Sequence, residues 1–381
     1  MRQVRWWAVA AVTGLLVACG GGDNPPPVTT SSVKVVGDSL ADSGTFSGLK
    51  FTVQGNAIWT ERVTSSVGAP ALCPRYIAQS ASLVVANPTA TACTSYGVGG
   101  ARINPEGLVG DTTPFSVVQQ LATLASEKPY SPDQLLLVDG GGNDVADLTG
   151  KYLAAGGDSG LAFTTLAGEL LTPQEITGAG TLPAVGTLYM QRLADKLADA
   201  ITTHALNRDA SRVVVLTVPD VTVTPRFLAV LAGVALQVNS QPGASPGDGE
   251  AVAADVKALV NAWVQAFNAQ LRSRLGAQSR VAIVDFYASL NQWVSAPASY
   301  GLTNATTPAC PRVGTDSSGL PTYDIANCTA TLLDTPPLPV GETAAGWWQT
   351  YVFSDNFHGT PRTNELMAQT VVQALVAKGW K

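Results

Sequence analysis

Four short apolar runs constrain this chain more than any other feature: Val33–Val36, Gln134–Val138, Arg212–Val218 and Val281–Phe286. Each is too short for a helix, rich in valine, leucine or isoleucine, and largely free of apolar/polar alternation. Such runs suit strands of a parallel sheet covered on both faces. Helical patterns lie between and after them. Phe115–Lys128 follows Asp111-Thr112-Thr113-Pro114, which reads as a cap with a first-turn proline. Leu188–Leu206 repeats apolar positions at Leu193, Leu197 and Ile201, and Ala251–Leu275 does so through Val256, Leu259, Val260, Trp263 and Phe267. Pro361–Lys378 is amphipathic. Strands alternating with helices predict a three-layer α/β/α sandwich with a central, mostly parallel sheet.

Two stretches interrupt the alternation. Residues 152–186 are rich in Gly, Ala, Leu and Thr, and residues 291–347 in Pro, Thr and Asn. Both are expected as insertions in the domain 33–381, where long irregular segments often serve as lids or binding loops.

The first residues read as an address. Arg2 and Arg5 form a positive region, and Trp6–Ala18 an apolar stretch too short to span a bilayer comfortably. Leu16-Val17-Ala18-Cys19 resembles the lipobox of bacterial lipoproteins, which implies a signal peptide over residues 1–18 and lipidation of Cys19. An ordinary secretory signal and a membrane anchor are the alternatives. Residues 19–32, with three glycines and three consecutive prolines, would be a tether holding the domain off a membrane surface. The expectation is an exported protein, lipid-anchored to a bacterial cell envelope or extracellular. Gly20 after the cysteine, rather than aspartate, favours the outer membrane if the cell is Gram-negative.

About 350 residues follow the tether, enough for one large α/β domain with insertions or two smaller domains. Removing Arg2 and Arg5 with the signal lowers the 22 basic residues to 20 against 28 acidic ones, a net charge of −8. An acidic chain without basic clusters argues against nucleic-acid binding. Four cysteines remain beyond Cys19, and they fall into two local pairs. In an oxidising compartment these read as Cys73–Cys93 and Cys310–Cys328, although three connectivities are open. Zinc would need close cysteine pairs or histidine partners that the chain lacks, so no metal is expected.

The chemistry is carried by three strings: Gly37-Asp38-Ser39-Leu40, Gly141-Gly142-Asn143-Asp144 and Asp355-Asn356-Phe357-His358. Ser39 follows a strand end, where open α/β sheets place their ligands. A serine hydroxyl needs a neighbouring base. The chain holds two histidines, His204 and His358. His358 has Asp355 three residues before it, within reach of the near ring nitrogen, so the far nitrogen can face Ser39. His204 has no acid at useful spacing and reads as structural. Asn143, after a strand and three glycines, can aim its amide at a developing oxyanion beside Ser39. Ser95-Tyr96-Gly97-Val98-Gly99-Gly100-Ala101 is a second turn whose backbone can approach a substrate closely.

Together these residues resemble the GDSL, or SGNH, hydrolase superfamily from Val33 to about Val376. The resemblance implies a flavodoxin-like sandwich in which Ser39 is the nucleophile and Asp355 and His358 complete the triad. It also implies an oxyanion hole formed by the Ser39 N–H, Gly100 and Asn143. Asp38, Asp42 and Asp144 match motif positions and read as turn and scaffold residues. Ser95 stands where the family usually carries asparagine, which leaves Gly99 as the alternative to Gly100. The implied activity is carboxylic ester hydrolysis without a cofactor. Lipids or small acyl esters suit the tether and the Leu/Val-rich stretch 161–188. The alternatives are a carbohydrate or polymer acyl-esterase, with Trp293, Tyr300, Trp347 and Trp348 stacking on sugar rings or simply packing, and a surface-binding lipoprotein without turnover.

Overall fold

The four apolar runs become the four strands of one parallel sheet. The structure is a computed structural model and describes residues 29–107 and 112–381. The signal peptide, Cys19 and most of the tether lie outside the described residues. In chain order the elements are β1 (Ser32–Val36), α1 (Trp59–Ser66), β2 (Tyr76–Ser80), β3 (Leu83–Ala86), α2 (Val117–Glu127), β4 (Gln134–Val138) and α3 (Gly142–Asp158). Then come α4 (Leu161–Ala167), α5 (Pro173–Ala179), α6 (Leu182–His204), β5 (Val213–Leu216), α7 (Pro225–Asn239), α8 (Asp248–Leu275), β6 (Val281–Val284) and α9 (Phe286–Ser295). The last are β7 (Arg312–Thr315), β8 (Pro321–Tyr323), α10 (Ala330–Leu333) and α11 (Pro361–Ala377).

The main sheet has the order β1-β4-β5-β6, and each neighbouring pair is parallel. Successive strand side chains point to opposite faces, so each valine-rich run feeds two cores at once. Val36, Leu136, Val138, Val213 and Val215 pack with α2, α3, α6 and α8. Val33, Val35, Leu135, Leu137, Val214 and Leu216 pack with α1, α9 and α11. This produces the α/β/α layering expected from the alternation of strands and helices. Beyond β1, the segment Thr94–Tyr96 adds one parallel bridge to Val35, so the chain entering the Gly97–Gly100 turn runs along the sheet edge.

Lys34 lies within a strand that is otherwise core. Its Nζ donates to the carbonyls of Lys128 and Pro129, 2.7 Å each, and sits 4.2 Å from the centre of the Tyr130 ring. Burial pushes its pKa down to about 8. The amine thus ties the end of α2 to the sheet.

Several boundaries differ from the sequence reading. The cap of α2 is Ser116, whose hydroxyl accepts from Gln119 N, and Pro114 stays outside the helix. Residues 152–186 are helical rather than irregular: α3 runs on to Asp158, and α4, α5 and the start of α6 follow. Their glycines hid the pattern because two of them, Gly160 and Gly180, occupy left-handed turns at helix ends. Thr172 and Thr181 cap the next helices. The irregular character of residues 291–347 is largely retained, with the β7–β8 hairpin, α10 and a small core of their own. Trp347 and Trp348 are buried in that core and donate to Leu333 O and Asp334 Oδ1, and Trp293 is buried against Phe286. These three rings pack in the interior, whereas Tyr300 is half-buried and donates its hydroxyl to Gln292 Oε1 (2.9 Å).

Both cysteine pairs are disulfides with the local connectivity, Cys73–Cys93 and Cys310–Cys328. The second closes the base of the segment bearing the hairpin. A loop of this length restrains the unfolded chain by roughly 3 kcal/mol in the chain-entropy account. Among the described residues, no helix is long and apolar enough to cross a membrane.

Candidate active site

Ser39 lies three residues beyond the end of β1, in a turn held from both sides. Gly37 N donates to Gln120 Oε1 (2.7 Å), and Gln120 Nε2 returns a bond to Gly37 O (3.0 Å), which fixes the turn on α2. A Cβ at Gly37 would lie 1.6 Å from Asp139 Oδ1, so any side chain there would have to displace the buried Asp139 carboxylate. The same oxygen accepts from Asp38 N at 3.0 Å, and Asp38 Oδ1 accepts from Leu40 N at 3.0 Å. Together these bonds bend the backbone around Ser39 and use the amides on either side of it. Among the described residues, the Ser39 N–H itself has no acceptor.

His358 comes from the other end of the domain, 319 residues away, in a bend before α11. Its Nε2 lies 2.7 Å from Ser39 Oγ, and its Nδ1 lies 2.7 Å from Asp355 Oδ2. The second Asp355 oxygen accepts two backbone N–H groups, from Phe357 and His358, each at 2.7 Å. The three-residue spacing therefore works through an Asp-centred turn rather than through a helix. Ser354 N donates to His358 O (2.7 Å), closing that turn. Phe51 packs its ring 4.8 Å from the imidazole, centre to centre. The structure thus brings Ser39, His358 and Asp355 into one chain of two hydrogen bonds.

Charge follows the geometry. Burial alone would pull the His358 imidazole down, but the facing Asp355 carboxylate, helped by Asp38, outweighs it and holds the pKa above the ordinary 6.5. Burial would push Asp355 up, yet the imidazole and the two N–H donors hold it below the ordinary carboxylate range. An imidazole so placed can accept a proton from a hydroxyl while its other nitrogen stays protonated toward the carboxylate.

The Gly-rich turn separates its two candidate glycines. Gly99 N donates to Asp42 Oδ2 at 2.8 Å and is consumed. A Cβ at Gly99 would also strike the Phe51 ring at 2.4 Å. Gly100 adopts a left-handed φ of 79°, and among the described residues its N–H meets no acceptor. Its carbonyl accepts from Arg102, which also pairs with Asp147 on α3. Asn143, in the first turn of α3, donates one amide hydrogen to Ala101 O (2.9 Å), which leaves the other for a ligand. Ser39 N, Gly100 N and Asn143 Nδ2 therefore keep donor capacity around the serine turn, whereas Gly99 does not.

Asp38, Asp42 and Asp144 all accept backbone amides. Asp42 holds Gly44 N and Thr45 N as well as Gly99 N, and Asp144 holds Ile103 N and Asn104 N. Burial pushes Asp144 up to about 6. Sequence reasoning missed Asp139, Gln120, Phe51 and Arg102. Asp139 alone left a signal, an acid placed where the β4 run ends; burial and the neighbouring Asp38 push it well above the carboxylate range. His204 ends α6 in a separate hollow with Asp195 and Asp199. Among the described residues its ring makes no hydrogen bond.

A cleft of about 550 Å³ opens beside this constellation, between α3, α7 and the tip of the β7–β8 hairpin. Phe357, the residue before His358, forms part of its wall. The stretch 161–188, expected to offer apolar surface to a substrate, contributes nothing to it.

A comparison with curated proteins returns no match. The family model for GDSL-like Lipase/Acylhydrolase matches residues 33–371, a span that includes Ser39, Gly100, Asn143, Asp355 and His358. The chain belongs to the GDSL-like lipase/acylhydrolase family of hydrolases.

Proposed function

We propose that this protein is a serine esterase or lipase that cleaves carboxylic esters through an acyl-enzyme. The observation that carries the reading is the pair of 2.7 Å contacts linking Ser39 Oγ, His358 and Asp355. As Ser39 Oγ bonds to the ester carbonyl carbon, its proton passes to His358 Nε2. The carbonyl oxygen becomes an oxyanion, received by Ser39 N, Gly100 N and Asn143 Nδ2. Collapse breaks the bond to the alkoxy oxygen, which takes the proton from His358 and leaves as alcohol. Water then gives a proton to His358, attacks the acyl carbon and releases the acid, restoring Ser39. Asp355 orients the ring and balances its charge. No cofactor enters these steps.

Hydrolysis of a series of p-nitrophenyl esters by purified protein, beside Ser39→Ala, tests this reading. The expected result is turnover by the wild type and loss of about three or more powers of ten in the variant. Equal rates on every ester would sink it and favour a binding lipoprotein. Preference for acetylated glycans over simple acyl esters would instead favour the acyl-esterase alternative, which the burial of Trp293, Trp347 and Trp348 disfavours.

The same proposal includes export. Two disulfides fit an oxidising compartment, and the sequence before the domain reads as a lipoprotein signal with Cys19 as the anchored residue. Cys19→Ser is expected to move the protein from the membrane fraction to the soluble fraction of its native host without altering turnover. Retention with membranes would show that another feature holds it there.

A further inference from the structure

The cleft beside His358 has walls that the reaction mechanism does not use. Phe357 stands at its inner end. It also lines a small recess with Asp38, Leu40 and Gly142, so it lies between the cleft and the serine turn. Outward from there the surface is mainly apolar: Val145 and Leu153 from α3, Phe227, Val230 and Val234 from α7, and Leu320 from the hairpin tip. Arg226 is the one charged residue among the described lining residues, and Asp316 of the hairpin pairs with it at 3.7 Å. Thr149, Thr224, Gln237 and Ser318 also reach the lining, but apolar side chains supply most of it. An acyl chain matches this mainly apolar lining. At about 550 Å³ the space far exceeds the need of a two-carbon acetyl group.

Two glycines add an independent observation. Gly150 lies inside α3 and Gly233 inside α7, and both line this cleft. Neither has a positive φ, and a Cβ at either position would meet nothing within 4 Å. Packing and backbone conformation therefore do not demand glycine at either site, although glycine weakens a helix interior relative to alanine. What a side chain at these positions would do is narrow the cleft.

We infer that this cleft is the acyl-chain site for medium- and long-chain esters, and that Gly150 and Gly233 set its width. The inference rests on the esterase reading above. Each methylene that enters apolar surface is expected to raise kcat/KM about three- to four-fold until the cleft is filled. The hairpin tip completes the wall. Asn356 Nδ2 donates to Pro321 O (3.0 Å) and the Cys310–Cys328 bond closes the base, so the tip is fixed relative to His358.

The test compares kcat/KM for p-nitrophenyl acetate through decanoate in wild type, Gly150→Leu, Gly233→Leu and Gly156→Leu, with melting temperatures for all four. Gly156 lies in α3 outside the cleft, also with open space at Cβ. The wild type is expected to favour decanoate over acetate. Gly150→Leu and Gly233→Leu should each lower the decanoate-to-acetate ratio by about ten-fold or more, with melting temperatures equal to or above wild type. Gly156→Leu should keep the wild-type ratio. An unchanged ratio in both cleft variants would overturn the inference, as would a wild type that prefers acetate. Either result leaves the esterase reading intact. Absence of turnover on every ester, acetate included, overturns that reading and this inference with it.

Discussion

His358→Ala is expected to lower ester turnover by several powers of ten, while His204→Ala keeps most of it. The chain has two histidines, and their surroundings differ in kind. His358 Nε2 lies 2.7 Å from Ser39 Oγ, with its opposite nitrogen on Asp355. His204 sits at the end of α6, where burial and Arg208 pull its pKa down. Without the ring at position 358, Ser39 has no base, while Ser39 N, Gly100 N and Asn143 retain their places. A residual rate above water from those donors is therefore expected. Steady-state kinetics of both variants decide the matter, and comparable losses would refute the assignment of the base.

Asp355→Asn should cost about four powers of ten in kcat while leaving the fold in place, and the geometry explains why. Asp355 Oδ1 is held by two backbone N–H donors at 2.7 Å each. In the variant the amide oxygen keeps those bonds, which turns the amide nitrogen toward His358 Nδ1. Two donors cannot share that contact, so Nδ1 must give up its hydrogen and Nε2 must carry it. The nitrogen facing Ser39 is then a donor and cannot take the serine proton. A second readout follows from charge. Activity in the wild type is expected to fall as His358 becomes protonated, at a pH above the ordinary 6.5, because Asp355 outweighs the effect of burial. Removing the carboxylate leaves burial to favour the neutral ring, so the acid limb of the residual kcat/KM profile should move to lower pH. A limb that stays put would show that Asp355 does not set the imidazole pKa.

The sheet was legible because its strands are buried on both faces and so read as apolar runs. Helices with one apolar stripe, such as α8 and α11, were legible for the same physical reason. α7 escaped notice because much of its apolar surface faces an open cleft instead of a core, although Thr224 and Pro225 mark its start. The β7–β8 hairpin lacks alternation because β7 is exposed along its whole length. In the site, Ser39 and His358 stood out through strand placement and scarcity. What distinguishes Gly99 from Gly100 is that Asp42 consumes the Gly99 N–H, a contact across 57 residues. Asp139, Phe51 and Gln120 act by packing against backbone far away in sequence, and no local pattern records that.

The placement of Ser39 on the first strand and His358 just before the last helix has a consequence for biosynthesis. At about 5–20 residues per second, the 319 residues that follow Ser39 up to and including His358 take roughly fifteen seconds to a minute to synthesise. Throughout that interval the nascent chain holds a serine without its partner. The Trp59 N–Asn364 bond that ties α1 to α11 is missing as well. On the mechanism proposed above, hydrolytic competence arrives only once the segment carrying Asp355 and His358 has been made and has folded onto Ser39, so an unfinished chain lacks its base.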